Sequence, residues 1–140
     1  MHRRTTLDNG LRIVSTTTPH TRSVCLSIFV GAGSRYEDDA MAGASHFIEH
    51  LVFKGTRRRP SAKDISEAIE GVGGILNAAT DRELTVYWCK VARPHFPLAV
   101  DILVDMLRFP VFDPAELEKL GAFKDFIEGL DLDDFDERKK

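Results

Sequence analysis

The residues best placed to do chemistry are two histidines and a glutamate in the segment His46-Phe47-Ile48-Glu49-His50. An α-helix advances about 100° per residue, so with His46 at zero, His50 lies near about 40° and Glu49 near about −60°. All three then share one narrow face. Two imidazoles one turn apart can chelate a zinc ion, and a carboxylate between them can reach a water held there. Zinc lowers the pKa of such a water toward about 7, and the carboxylate can take its proton as the oxygen attacks a carbonyl. The bland alternative is a solvated polar face on an amphipathic helix. A five-residue pattern by itself does not separate the two.

The elements around this segment must hold it in place. Ala44, Phe47, Ile48, Leu51 and Val52 fall on the opposite side of the helix and form a stripe that can pack on a core. The helical period spans residues 41–53, with Gly55 as a stop just beyond. Upstream, Asn9-Gly10 between two β-prone runs predicts a hairpin leading into a strand over 11–18. Residues 23–30, dense in Val, Ile, Leu and Phe, predict a second strand, ended by Gly31-Ala32-Gly33-Ser34. Ser61, with Asp64 three residues on, predicts a capped helix as far as Gly71. Strands are expected over 75–79 and 84–91, a helix begun by Pro94 and Pro97 as far as Arg108, and a further helix opened by Asp113-Pro114. Intermixed strands and helices with two hairpin-like pairs give an α+β fold, a largely antiparallel sheet with helices packed on it.

Composition narrows the possible functions. The chain has 140 residues, 43% of them hydrophobic, which suffices for one domain with one core. A net charge of −3 with mixed signs gives no basic field for nucleic acid. The short run Arg57-Arg58-Arg59 reads as a solvated loop. No apolar stretch approaches the roughly 20 residues of a membrane helix, and Met1-His2-Arg3-Arg4 leads into no signal-like run. A cytoplasmic setting is the expectation, unless a leader has been removed. Cys25 and Cys89 are expected to be buried free thiols.

Several landmarks together carry a resemblance. His46-Phe47-Ile48-Glu49-His50 has the inverted form of the zinc-protease motif, and Leu51-Val52-Phe53-Lys54-Gly55-Thr56 follows it. Upstream stand Leu7-Asp8-Asn9-Gly10-Leu11-Arg12 and Gly31-Ala32-Gly33-Ser34-Arg35-Tyr36-Glu37. Downstream stand Gly73-Gly74-Ile75-Leu76-Asn77-Ala78 with Thr80 and Glu83, then Phe112-Asp113-Pro114. In this order they resemble the N-terminal part of the first domain of the pitrilysin, insulin-degrading enzyme and mitochondrial processing peptidase family. The resemblance implies Zn2+ held by His46 and His50, with Glu49 as the general base. It implies that Asn77, Ala78, Ala79 and Thr80 line a cleft at a sheet edge, where a peptide or unfolded polypeptide adds as a strand.

The same resemblance implies a third ligand, a glutamate on the helix opened by Asp113-Pro114, and another glutamate two turns before it. Counting without gaps puts these on Ile127 and Leu120, neither of which binds metal. Glu128, or Asp125 with its shorter arm, serves only if the helix is locally shifted. Leu120, Phe123, Ile127 and Leu130 recur at helical spacing as a packing stripe. Members of the family have a longer first domain and usually a second one. Residues 1–130 are thus expected to be a partial peptidase domain and 131–140 a charged, disordered tail. Truncation or a frameshift after Lys119, a complementary partner subunit, or a rearranged third ligand would each account for this. The expected function is a zinc-dependent metalloendopeptidase domain. The alternative is a non-catalytic fragment or scaffold subunit with an incomplete zinc site.

Overall fold

The computed structural model describes residues 2–115, 117 and 118. It begins with a hairpin of β1 (His2–Thr6) and β2 (Arg12–Thr16), in register from His2↔Thr16 to Thr6↔Arg12. The Asn-Gly pair sits in a loop longer than a two-residue turn. Leu7 N–H donates to the Leu11 carbonyl at 2.9 Å, the Asn9 side chain accepts from Leu11 N–H at 3.1 Å, and Gly10 takes φ 84°. That left-handed residue closes the loop at little cost only because it is glycine. The second strand ends at Thr16, short of the predicted Thr18.

Three strands form the main sheet: β3 (Ser23–Val30), β4 (Ile75–Thr80) and β5 (Thr85–Ala92). All pairings are antiparallel and the order is β3-β5-β4, so β4 is an edge among the described residues. Among the described residues the helices α1 (Ala44–Val52), α2 (Ala62–Glu70) and α3 (Phe96–Arg108) accompany the sheet. The expected α+β fold with a largely antiparallel sheet is what forms. None of the described helices is long and apolar enough to cross a membrane.

Strand alternation sorts the side chains. On β5, Thr85, Tyr87, Cys89 and Val91 are buried, whereas Val86 and Trp88 are half-buried and Lys90 is exposed. Tyr87, Cys89 and Val91 pack with Ile65 and Ile69 of α2 and with Ile102, Leu103 and Met106 of α3. Burying such side chains stabilises the fold by about 1.5–3 kcal/mol each. On the opposite face of the sheet, Phe29, Ile75, Asn77 and Ala79 are exposed. Cys89 is buried as expected, but Cys25 is exposed. It falls on the side of β3 that faces away from the core, where a thiol gains no burial.

Local signals placed the helix ends. Ser61 and Asp64 form a full capping box on α2. Pro97 lies in the first turn of α3. Asp113 caps the turn after it, its side chain accepting from Ala115 N–H at 2.9 Å and its carbonyl from Leu117 N–H at 3.0 Å. The motif helix is shorter than predicted. Gly43 precedes it at φ 86°, and Asp39–Met41 form a separate 3-10 turn capped by Asp38. Ile48, expected on the packing side, is 46% exposed, while Leu51 and Val52 are buried. The stripe Leu120, Phe123, Ile127 and Leu130, with Asp125, Glu128 and the tail 131–140, lies outside the described residues.

Candidate metal and catalytic site

Both ends of α1 are fastened. At its N-terminus the Glu37 carboxylate accepts from the N–H of Gly43 and the N–H of Ser45, each at 2.7 Å. Early N–H groups of a helix have no partner within it, and a carboxylate there answers both their need and the helix dipole. The Ser45 side chain, then the Ser45 and Gly43 N–H groups, hold the Glu37 carboxyl below its ordinary range.

Beyond the C-terminus, Gly55 takes φ 155° and a Cβ there would stand 2.5 Å from the Pro60 carbonyl oxygen. Thr56 is fully buried; its hydroxyl donates to Asp105 at 2.7 Å and accepts from Arg59 N–H at 2.9 Å. Arg59 reaches Asp105 at 2.6 Å and Asp101 at 2.7 Å, and Arg58 reaches Asp101 at 2.6 Å. The prediction of a solvated basic loop holds for the exposed Arg57 and Arg58 and is corrected at Arg59, which is only 14% exposed and committed to two carboxylates of α3. The same loop meets the chain after α3, where Val111 N–H donates to the Gly55 carbonyl at 3.0 Å and Thr56 bridges Pro110.

Between these fastenings, the helix presents its three polar residues together. The Nε2 atoms of His46 and His50 are 2.9 Å apart, their ring centroids 4.6 Å apart. One nitrogen must then donate and the other accept. Both rings are exposed, whereas Glu49 is half-buried. Glu49 Oε2 accepts from the Thr80 hydroxyl at 2.5 Å, which ties α1 to the end of β4. The Thr80 oxygen lies 3.3 Å from that of buried Thr85, whose hydroxyl donates to the Ala32 carbonyl at 3.0 Å. Burial, and after it the negative charge of Glu49, raises the pKa of the Tyr87 phenol.

The four residues expected to line a cleft divide by face. Asn77 and Ala79 are exposed, while Ala78 and Thr80 lie on the helix side and are half-buried. The Asn77 side chain accepts from Ala78 N–H at 2.8 Å. Sequence reasoning did not find Glu37 as a helix clasp, Thr80 as the partner of Glu49, or Arg59 as a buried anchor. Thr80 and Glu49 are 31 positions apart and Arg59 and Asp105 are 46 apart, so no local pattern joins them.

The donor set can be tested against zinc. Two imidazole nitrogens on a tetrahedral zinc stand roughly 3.3 Å apart. A pair at 2.9 Å needs only a slight opening to match. Two donors therefore fit. Among the described residues no group of three or more His, Cys, Asp or Glu could hold a metal, and Glu128 lies outside them.

Comparison with known proteins bears on the chain as a whole. The profile of the Insulinase (Peptidase family M16) family matches residues 12–133. An uncharacterized zinc protease of Streptomyces coelicolor is 53% identical over 105 residues, covering 75% of this chain and 23% of the relative. The mitochondrial-processing peptidase subunit beta of Dictyostelium discoideum is 42% identical over 115 residues, covering 82% of this chain and 24% of the relative. The crystal structure of a protease from Helicobacter pylori superposes with a TM-score of 0.77 at 26% identity, covering 83% of this chain and 28% of that one. The chain thus spans about a quarter of the length of these relatives. With its motif helix, its sheet order and a family profile running through most of its length, this chain belongs to the insulinase family, peptidase family M16.

Proposed function

We propose that this chain carries the metal-holding and base-bearing part of a zinc-dependent endopeptidase. The observation behind this reading is the convergence of the His46 and His50 Nε2 atoms at 2.9 Å, with Glu49 beside them held by Thr80. In this reading His46 and His50 hold zinc, and a third donor comes from beyond the described residues, with Glu128 the candidate. When bound, zinc supplies Lewis acidity, polarising a peptide carbonyl and making water more acidic. Glu49 accepts a proton from the attacking water and passes it to the leaving amine nitrogen. Thr80 keeps that carboxylate turned toward the site. Asn77, Ala78, Ala79 and Thr80, on the edge strand β4, take an extended peptide or an unfolded polypeptide as an added strand. Recognition through backbone groups implies broad sequence tolerance. A further domain or a complementary subunit closes the cleft, consistent with the subunit named among the relatives.

A second reading has one observation in its favour. The two imidazoles hydrogen-bond each other directly, a contact that satisfies them without any metal. On that reading the chain is a non-catalytic scaffold or partner subunit.

Zinc content after dialysis and hydrolysis of an unstructured peptide separate the two. Wild type is expected to retain about one zinc per chain. His46→Ala and His50→Ala should each lose it, and Glu49→Gln should keep the metal but lose hydrolysis. Full activity in Glu49→Gln would sink the assignment of the base. A wild-type chain that releases all its zinc would favour the scaffold.

A further inference from the structure

A loop of five residues, 33–37, touches the start of α1 and the turn that follows β4, the two elements that meet at Glu49. At one end Gly33 lies against the β4–β5 turn, where a Cβ would stand 2.2 Å from the Asp81 carbonyl oxygen and 2.7 Å from the Arg82 carbonyl. Its φ of −175° is ordinary extended backbone, so the demand for glycine here is one of space. Arg35 N–H donates to the Arg82 carbonyl at 2.8 Å, and its guanidinium pairs with Glu83. At the other end Glu37 holds the N–H groups of Gly43 and Ser45, one on each carboxylate oxygen. Thr80 immediately precedes Asp81, and His46 immediately follows Ser45. The loop therefore grips the chain one residue after Thr80 and one helical turn before Glu49.

We infer that Gly33 and Glu37 are positioning residues: the loop they bound is a spacer that sets α1 against β4 and so brings the Glu49 carboxylate onto the Thr80 hydroxyl. The inference rests on Glu49 as the base, but the spacer has its own geometric content. Neither residue touches the reacting atoms. The exposed Arg35–Glu83 pair adds little to the grip, because ion pairs in water are weak. Glu37 is the more telling position. Glutamine keeps one accepting oxygen of the two, and alanine keeps none.

The test compares wild type, Glu37→Gln, Glu37→Ala and Gly33→Ala as the full chain, with three readouts. These are the urea midpoint, the NMR resonances of the Thr80 methyl and the Glu49 amide, and kcat and KM for a zinc-loaded chain on an unstructured peptide. Expected are resonance shifts at Thr80 and Glu49 that grow from Gln to Ala. In step with them, kcat should fall by about threefold and then on the order of tenfold, with KM within about twofold of wild type. Gly33→Ala should move the same resonances by displacing the turn. If it does not fold, the Glu37 series stands alone. Thr80 and Glu49 resonances that stay in place in Glu37→Ala would overturn the inference. So would a kcat loss that merely follows the folded fraction. If wild type does not hydrolyse at all, the functional reading fails, and the NMR series still decides the spacer.

Discussion

At its N-terminal end α1 hangs from a half-buried carboxylate, that of Glu37, through two hydrogen bonds of 2.7 Å. The chain leaving its C-terminal end is fastened by Arg59, 14% exposed, to Asp105, 2% exposed. The two grips look alike as contact lists but differ in kind. Glu37 keeps partial access to water, which can take over some of its bonds when it is lost, so that grip chiefly sets position. Asp105 has left water and cannot recover it if Arg59 is removed. Asp105 already keeps one oxygen, Oδ1, without a hydrogen-bond partner among the described residues. The buried brace therefore secures the fold, while the half-buried clasp orients the helix within it.

The sharpest way to break this comparison is Arg59→Ala. It leaves Asp105 a buried charge without its guanidinium, and the expected loss is about 3 kcal/mol in urea unfolding. A loss under about 1 kcal/mol would put the brace in the same class as the clasp. Arg59→Lys should fall between, because an ammonium cannot reproduce the planar fork that spans Asp101 and Asp105. Thr56→Val comes next. It keeps the shape but removes the hydroxyl that donates to Asp105 and accepts from Arg58 and Arg59. Stranding those groups should cost about 1–3 kcal/mol in the same measurement.

Glu37→Ala should lower the unfolding midpoint less than either, and added salt should shrink the difference from wild type. Acid sharpens the contrast further. Glu37 is held below its ordinary 4.5 by Ser45 and Gly43, and Asp101 below its ordinary 3.8 by Arg58 and then Arg59. Both folded pKa values are depressed, so the unfolded chain binds more protons in this range and stability rises with pH. Their contribution is complete above these ordinary values and is lost as pH falls through the folded ones. Circular dichroism during acid titration should show an acid destabilisation that shrinks in Glu37→Ala. An unchanged profile in that variant would mean the clasp carries no charge-dependent share.

Much of the local structure was legible because it depends on spacing along the backbone. One helical turn between His46 and His50 sufficed to place both rings on one face. Ser61 with Asp64 marked the start of α2, and Asp113-Pro114 the turn that follows α3. The strand at Ser23–Val30 was readable from its density of Val, Ile, Leu and Phe. Each of these features is decided by residues a few positions apart, whose relative placement follows from the covalent chain.

The remaining features needed the third dimension. Cys25 and Cys89 sit in similar apolar runs, and only the face each takes in the sheet makes one exposed and the other buried. Arg59 reads as one member of a basic loop until α3 brings Asp101 and Asp105 beneath it. Glu49 meets Thr80 only because β4 lies at the sheet edge beside α1, with β5 between it and β3. The sequence by itself determined that His46, Glu49 and His50 share a face of α1 and where α2 begins, since a few covalent steps set those relations. Only the tertiary structure decided what each charge pairs with and which groups leave water, because packing, not spacing, brings residues 31 or 46 positions apart into contact.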